Sequence, residues 1–484
     1  MQLPSRDILE RMPLAEAVLT LWSWAADENH LGQIFERHRG RCYPKILSFA
    51  FLVYLIRDAL LEYGGSGHKS FTKARERDEL KTSFYAAYGK FGRTPIAVSM
   101  ALLSGCTARL AQAFPEAAAA HTPLPQSLDG YQVIGLDGKA IKRVAKRLKP
   151  LRKAAGGLLG GRALVAMNVR SGLAVAMHAH PDGDANDTRF VGNLVPKVRA
   201  LIDGPRLWMA DSGLCDLTQT AHFTSDPSDA FLVRYHPKVR FDVDPSRTAR
   251  NGTNRLGQRY REDWGWLGIP KNKNRRYVRR ITLIRPGEDD VILVTSLLDA
   301  AAFPAEDLLE CYLKRWTIEN MFQQVTEVFG LTHLIATTPK GTIFQFALCL
   351  LLYNLIQVVR GIIAVGSGHH KDEISAENLF DDAKRELIAW SVVIEPEATA
   401  AYFDGEWSAF RVKARLSELL SGLWREGWRK APPKKRRRAE KAEPHRTHGS
   451  VFRILEAHRR KVNEEAHRRR VTEERAARAQ AQRC

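Results

Sequence analysis

Apolar residues recur at helical spacing over residues 8–24, 46–61 and 96–114, and nothing in this part alternates strongly enough to predict a strand. Residues 1–125 therefore read as a helical N-terminal region. The stretch HTPLPQSLDG at 121–130 holds two prolines and an Asp-Gly pair, reads as a linker, and puts a domain boundary near 125. Beyond it the pattern becomes that of short strands, at 131–136, 163–169, 173–180, 206–210 and 231–235. A helical crossover over 192–202, capped by Asn186, Asp187 or Thr188, separates the third of these from the fourth. Residues 236–290 are rich in Arg, Asn, Gly and Trp and read as a β-rich insertion, ending in strands at 276–284 and 290–296. From Pro304 the pattern is helical again, first as one amphipathic segment to Phe329, then as an apolar helix over 343–362. The expected class is α/β, with a central sheet domain over 126–365, a helical region over 366–428 and a tail over 429–484.

Composition narrows the class further. With 44% hydrophobic and 26% charged residues, 484 residues can bury several cores, which excludes disorder throughout and a disulfide scaffold. The six cysteines, at 42, 106, 215, 311, 349 and 484, form no C-x-x-C pair and read as buried thiols in a reducing cytoplasm. The uncharged run 343–359 contains Gln345, Asn354 and Gln357 and lacks paired flanking anchors, so it reads as a core helix and not a membrane span. The first residues carry charges of both signs and no export signal.

The formal net charge of +20 points to a polyanionic partner, and its distribution says more than its sum. Residues 429–483 hold 19 Lys or Arg against 7 Glu, a net +12, leaving +8 for the rest. This tail, with its KKRRRAEK run, is expected to be disordered or partly helical, not to pack on the core, and to attract DNA through charge. A second cluster, from Lys139, Lys142 and Arg143 to Lys153, has eight basic residues in fifteen positions and no acid. It follows an acid directly.

That acid is Asp137 in YQVIGLDGKAIKR, delivered by an apolar strand to its end beside Gly138, and Asp211 in RLWMADSGL repeats the arrangement. An acid ending a strand is, taken alone, more often a turn or cap. Two acids on separate strands of one sheet can lie side by side and hold divalent cations with hard oxygen ligands. In ECYLKRWTIENMFQQVTEVFG, helical spacing puts Tyr312, Arg315 and Glu319 on one face, while Trp316, Ile318, Phe322 and Val325 can pack. Two cations about 4 Å apart would activate water or a 3′-hydroxyl and stabilise the leaving oxygen of a phosphodiester. Mg²⁺ suits carboxylate and phosphate oxygens, with Mn²⁺ a substitute. The stretch HAHPDGDANDT at 178–188 reads as a loop in preference to a metal site.

In order and spacing, LDGKAIKR, LWMADSGL, FLVRYH, Y-x2-R-x3-E and FGLTHL resemble the DDE transposases of bacterial insertion sequences, specifically the insertion-sequence-4 group with its RNase H-like catalytic core. The resemblance runs from about residue 131 to about 357. It implies that Asp137, Asp211 and Glu319 are the catalytic, metal-holding acids, two ions per site, and that Tyr312 and Arg315 contact the DNA backbone. It also implies a DNA-binding role for the helical region 1–125, double-stranded DNA partners, both terminal inverted repeats and target, a homodimer pairing two ends, no membrane, and cut-and-paste movement in a bacterial, nucleoid-associated setting. Trp264 or Trp266 would hold a flipped base. One position departs: the family pattern places Lys where this chain has Thr326, and Lys314 or Lys340 are candidates to replace it.

Overall fold

The computed structural model describes residues 6–42, 47–116, 123–431 and 448–481. Its strands are β1 (Gln132–Ile141), β2 (Gly157–Leu159), β3 (Gly161–Asn168), β4 (Leu173–His180), β5 (Arg206–Ala210) and β6 (Ala230–Arg234), then β7 (Phe241–Val243), β8 (Arg250–Thr253), β9 (Arg259–Leu267), β10 (Arg276–Leu283), β11 (Val291–Thr295) and β12 (His448–Ser450). Ten of them form one sheet in the order β4-β3-β1-β5-β6-β11-β10-β9-β7, with β8 paired to β9. β1, β5 and β6 run parallel, and all other pairs of this sheet are antiparallel. The parallel centre follows from sequence: RLWMA in β5 is buried at every position, as a strand covered on both faces must be. The crossover into β5 is helix Thr188–Arg199, whose Phe190, Val191, Leu194, Val195 and Val198 are buried against one face of the sheet. The strands expected within 236–296 are present, and they extend the main sheet because β11 pairs with β6.

The other face meets helix Pro339–Ser367, whose buried positions run almost unbroken from Pro339 to Ala364. It and helix Ile96–Ala113 are both long and apolar enough to cross a bilayer, yet 94% of the longer one's most apolar window is buried inside the protein. A helix apolar on every side needs cover on every side. Helices from both chain ends supply it, and they share one hydrophobic core with β1, β3 and β4. The ends are also tied by polar contacts: the Glu386 carboxylate accepts from the Leu14 amide at 2.7 Å and the Ala15 amide at 3.2 Å, capping helix Pro13–Ala25 from afar.

Several expectations need correction. The helix read over 8–24 is divided into Arg6–Leu9 and Pro13–Ala25, because Pro13 cannot donate its amide inside a helix but fits the first position of a new one. The helix read from 46 begins at Phe49, after the Ser48 cap; residue 46 lies outside the described residues. Three helices of the N-terminal region escaped the reading, Glu28–His38, Gly67–Glu76 and Phe84–Arg93, each announced by a capping Asp27, Ser66 or Ser83. In the stretch read as a linker, 121–122 is outside the described residues, while Leu128 is buried and Ser127 Oγ donates to Asp307 Oδ2 at 2.7 Å. The tail does pack at its root: β12 pairs in parallel with β2, Ser450 Oγ accepts from the Gly183 amide, Val451 is buried, and Arg453 pairs with Asp182 at 2.9 Å. Beyond Glu456 helix Val451–Ala481 runs out with most of its described side chains exposed; the KKRRRAEK run lies outside the described residues.

Of the polar residues that the long helix buries, Thr342, Gln345, Asn354 and Gln357 among them, Asn354 meets the sheet edge. Its Oδ1 accepts from the Ala174 amide and its Nδ2 donates to the Ala174 carbonyl and to Thr107 Oγ1, all at 2.8 Å and all buried. Asn354→Leu, close in size, is expected to lower unfolding free energy by about 2 to 4 kcal/mol, because the amide and carbonyl of an edge strand lose their partners; a urea-denaturation loss below about 0.5 kcal/mol would refute the clamp. Truncation before Glu456 should leave thermal stability unchanged, whereas truncation before His448 should lower it, since only the second removes buried Ser450 and Val451. Equal melting curves for the two truncations would show that the root is not docked.

Candidate active site

The last rung between β1 and β5 pairs Leu136 with Ala210. There β5 ends, and Asp211 opens the short 3-10 turn Ser212–Leu214. β1 continues to Ile141, held by β3, so Asp137 lies inside its strand and not at the end that the sequence suggested. The two acids still occupy the next register step of neighbouring parallel strands. Burial pushes the Asp137 carboxyl up to about 6, against the Gly138 amide hydrogen bond and Arg315, with the charges of Glu319 and Asp211 adding to the rise. Asp211 Oδ1 is buried with no hydrogen-bond partner.

The third element is not the single helix expected. Helix Ala305–Leu313 gives way to Trp316–Glu327 across Lys314 and Arg315, where successive amides bond three residues back: Lys314 to Cys311, Arg315 to Tyr312, Thr317 to Lys314 and Ile318 to Arg315. This 3-10 tightening changes which side chains face inward. Trp316, expected to pack, is 58% exposed, while Ile318, Phe322 and Val325 pack as expected. Tyr312 is buried and its hydroxyl donates to the Ala210 carbonyl at 3.4 Å, beside Asp211. Arg315 is 6% exposed; its Nη2 lies 2.7 Å from Glu319 Oε1, its guanidinium sits 5.7 Å from the ring centroids of both Tyr312 and Trp316, and its Nε has no partner. Arg315 therefore holds Glu319 within the protein.

Lys139 stands two residues beyond Asp137 on the same face of β1, its Nζ 5.5 Å from the Phe322 ring centroid, and burial and Lys142 lower its pKa. Lys142 and Arg143 are exposed, Arg143 with φ +67°, a left-handed backbone unusual for Arg. Thr326 Oγ1 donates to the Phe322 carbonyl at 2.6 Å and so spends its hydroxyl on its own helix. Oxygen donors suit a hard divalent cation, and the unpartnered Asp211 Oδ1 is an acceptor that the protein leaves unsatisfied. Among the described residues, however, no three His, Cys, Asp or Glu side chains gather closely enough to hold a metal, in keeping with the engagement of Glu319 by Arg315.

Residues 129–355 match the family described as Transposase DDE domain. A solved piggyBac transposase synaptic complex with hairpin DNA is similar at 10% identity and a TM-score of 0.35, over 86% of this chain and 77% of that one, a likeness too slight to bear on function. No curated protein matches the chain.

Within the matched residues the two tryptophans separate. Trp264 is 1% exposed, donates Nε1–H to the Leu298 carbonyl and is covered by Arg247, so it is core. Trp266 is 40% exposed, in edge contact with Tyr277 and with Arg275 5.0 Å from its ring centroid. Of the 178–188 stretch, His178 and His180 lie on β4 against Phe190, and Asp182 serves Arg453. Asp187, read only as a cap, makes no side-chain cap bond; it grips Arg162 through both oxygens, at 2.5 and 2.6 Å, directly over Gly138. A Cβ at Gly138 would stand 2.1 Å from Asp187 Oδ2. The glycine after Asp137 was the available signal that something crosses there. Gly138→Ala should cost about 1 to 3 kcal/mol and lower DNA cleavage, because the clamped carboxylate cannot swing aside. A melting temperature and cleavage rate equal to the parent's would show that Asp187 yields freely.

Proposed function

We propose that the chain is an insertion-sequence-4-type transposase that cuts double-stranded DNA at terminal inverted repeats and joins the freed 3′-hydroxyl ends to target DNA. The observation that carries this reading is the placement of Asp137 and Asp211 at the next step of a shared parallel register, with Glu319 close enough for its charge to act on Asp137. An RNase H-like core is supported by the strand order β4-β3-β1-β5-β6, antiparallel on the β3 side and parallel on the β5 side. Asp137, Asp211 and Glu319 would hold Mg²⁺, or Mn²⁺ in its place, two ions per site, which when bound supplies activation of the attacking oxygen and stabilisation of the leaving one.

The chain's own residues do the rest. Tyr312 and Arg315 border the acids from the helix side, and a scissile phosphate entering there would meet the Arg315 guanidinium by charge-assisted hydrogen bonds, drawing it from Glu319. Lys139, Lys142 and Arg143 continue a positive path along and beyond β1 for the flanking backbone. A homodimer pairing two ends, acting by cut-and-paste in the bacterial cytoplasm, completes the reading. The Arg315–Glu319 pairing and Thr326 also favour a second reading, a derivative that binds DNA without cutting it.

Asp137→Asn, Asp211→Asn and Glu319→Gln should each cut cleavage of end DNA by at least about a thousandfold while duplex affinity stays within a few-fold of the parent's. Cleavage and gel-shift binding are measured together in Mg²⁺ and in Mn²⁺. A variant that cleaves undiminished removes its residue from the site. A parent that binds and never cuts selects the second reading, and one that cuts without joining is a nuclease.

A further inference from the structure

A cavity of about 580 Å³ opens away from the carboxylates, between the N-terminal helices and the start of helix Pro339–Ser367. Arg39, Arg41, Lys90, Arg93 and Lys340 line it, from helices Phe84–Arg93 and Pro339–Ser367 and the turn after helix Glu28–His38, and among the described residues no acid is in its lining. Two of these cations are anchored: Arg39 is paired with Glu36 at 2.6 Å, outside the lining, and Lys90 Nζ stands 4.6 Å from the Phe35 ring centroid. Arg41, Arg93 and Lys340 are exposed to solvent. Thr338 Oγ1 donates to the Gly92 carbonyl at 2.9 Å, which ties the helix bearing Arg93 to the one bearing Lys340. Lys340 lies in the first turn of its helix, where the backbone dipole already makes the potential positive and a further cation is disfavoured without an anion nearby.

We propose that this cavity seats sugar–phosphate backbone of a DNA duplex, a second grip separate from the acid cleft. The proposal rests on the reading that the chain acts on DNA. Five cations around one cavity, with no acid in its described lining, favour a polyanion. They offer contacts to phosphates, which position a duplex without reading its sequence. Lys90, Arg93 and Lys340 stand on helices of the folded body, so that part of the grip is built before DNA arrives.

The test is binding of end DNA and of scrambled duplex by the full chain, titrated between about 50 and 200 mM salt. Arg41→Ala/Arg93→Ala/Lys340→Ala should weaken both duplexes alike and reduce the slope of log affinity against log salt by about 2 to 3, since each lost phosphate contact releases about one counterion fewer. Arg41→Lys/Arg93→Lys should restore most of the slope. Arg385→Ala/Arg411→Ala/Lys413→Ala, three charges removed from the C-terminal helices, should leave it unchanged. If the cavity variant binds with the parent's slope, or the control variant loses as much as the cavity variant, the cavity is not a DNA site although the chain remains a DNA binder. A parent that binds no duplex would overturn the DNA reading itself, and this proposal with it.

Discussion

A helix apolar around its whole circumference cannot face water anywhere, and the architecture follows from enclosing one. Helix Pro339–Ser367 is covered by β3 and β4 on one side and on others by helices from both chain ends. The sheet edge at β4 gains from the same contact. An uncovered edge strand leaves amides and carbonyls ready to pair with another chain, and Asn354 answers both groups of Ala174 from the helix. The one fully buried amide side chain that faces the sheet thus sets where the helix sits along β4.

That placement reaches the acids through packing. Helix Trp316–Glu327 lies between the long helix and β1, with Ile318, Met321, Phe322 and Val325 buried in the shared core. Glu319 has little freedom to choose its position, because the residues on either side of it along the helix are fixed by apolar contacts. Its partner Arg315 is buried, and such a pair contributes little net stability while the loss of either member strands a charge. The pair is better understood as a device that keeps two opposite charges in place near the strand ends than as a source of stability.

Much of this was legible in the sequence, and the misses have physical causes. Apolar runs located β1, β3, β4, β5, β6, β10 and β11, since buried strands in a sheet covered on both faces leave little room for polar residues. Asp137 and Asp211 stood out because each interrupts such a run. The break at Lys314–Arg315 was invisible: helical periodicity survives a turn of 3-10 bonding, and only the exposure of Trp316 reveals it. Asp187 was hidden for the opposite reason, since a carboxylate before a helix has an ordinary local role and its partner Arg162 is distant in sequence. Charge density hid the root of the tail, where a few residues, Ser450, Val451 and Arg453 among them, supply the docking.

The distribution of charge separates two tasks that one surface could not perform together. Net positive charge draws a polyanion from a distance and is strongly screened by salt. The acids set up the reverse, a local negative field at a partly buried place. Here Asp137 and Asp211 stand on the rigid centre of the sheet, while the exposed cations Lys142, Arg143, Arg41, Arg93 and Lys340 lie on loops and helix ends around it. Lys139 is the point where the fields meet, half-buried between Asp137 and Phe322. At the acids themselves a buried cation, Arg315, offsets one charge by pairing with Glu319. An acid among the peripheral cations weakens the positive field there in the same way, as Glu36 does at Arg39.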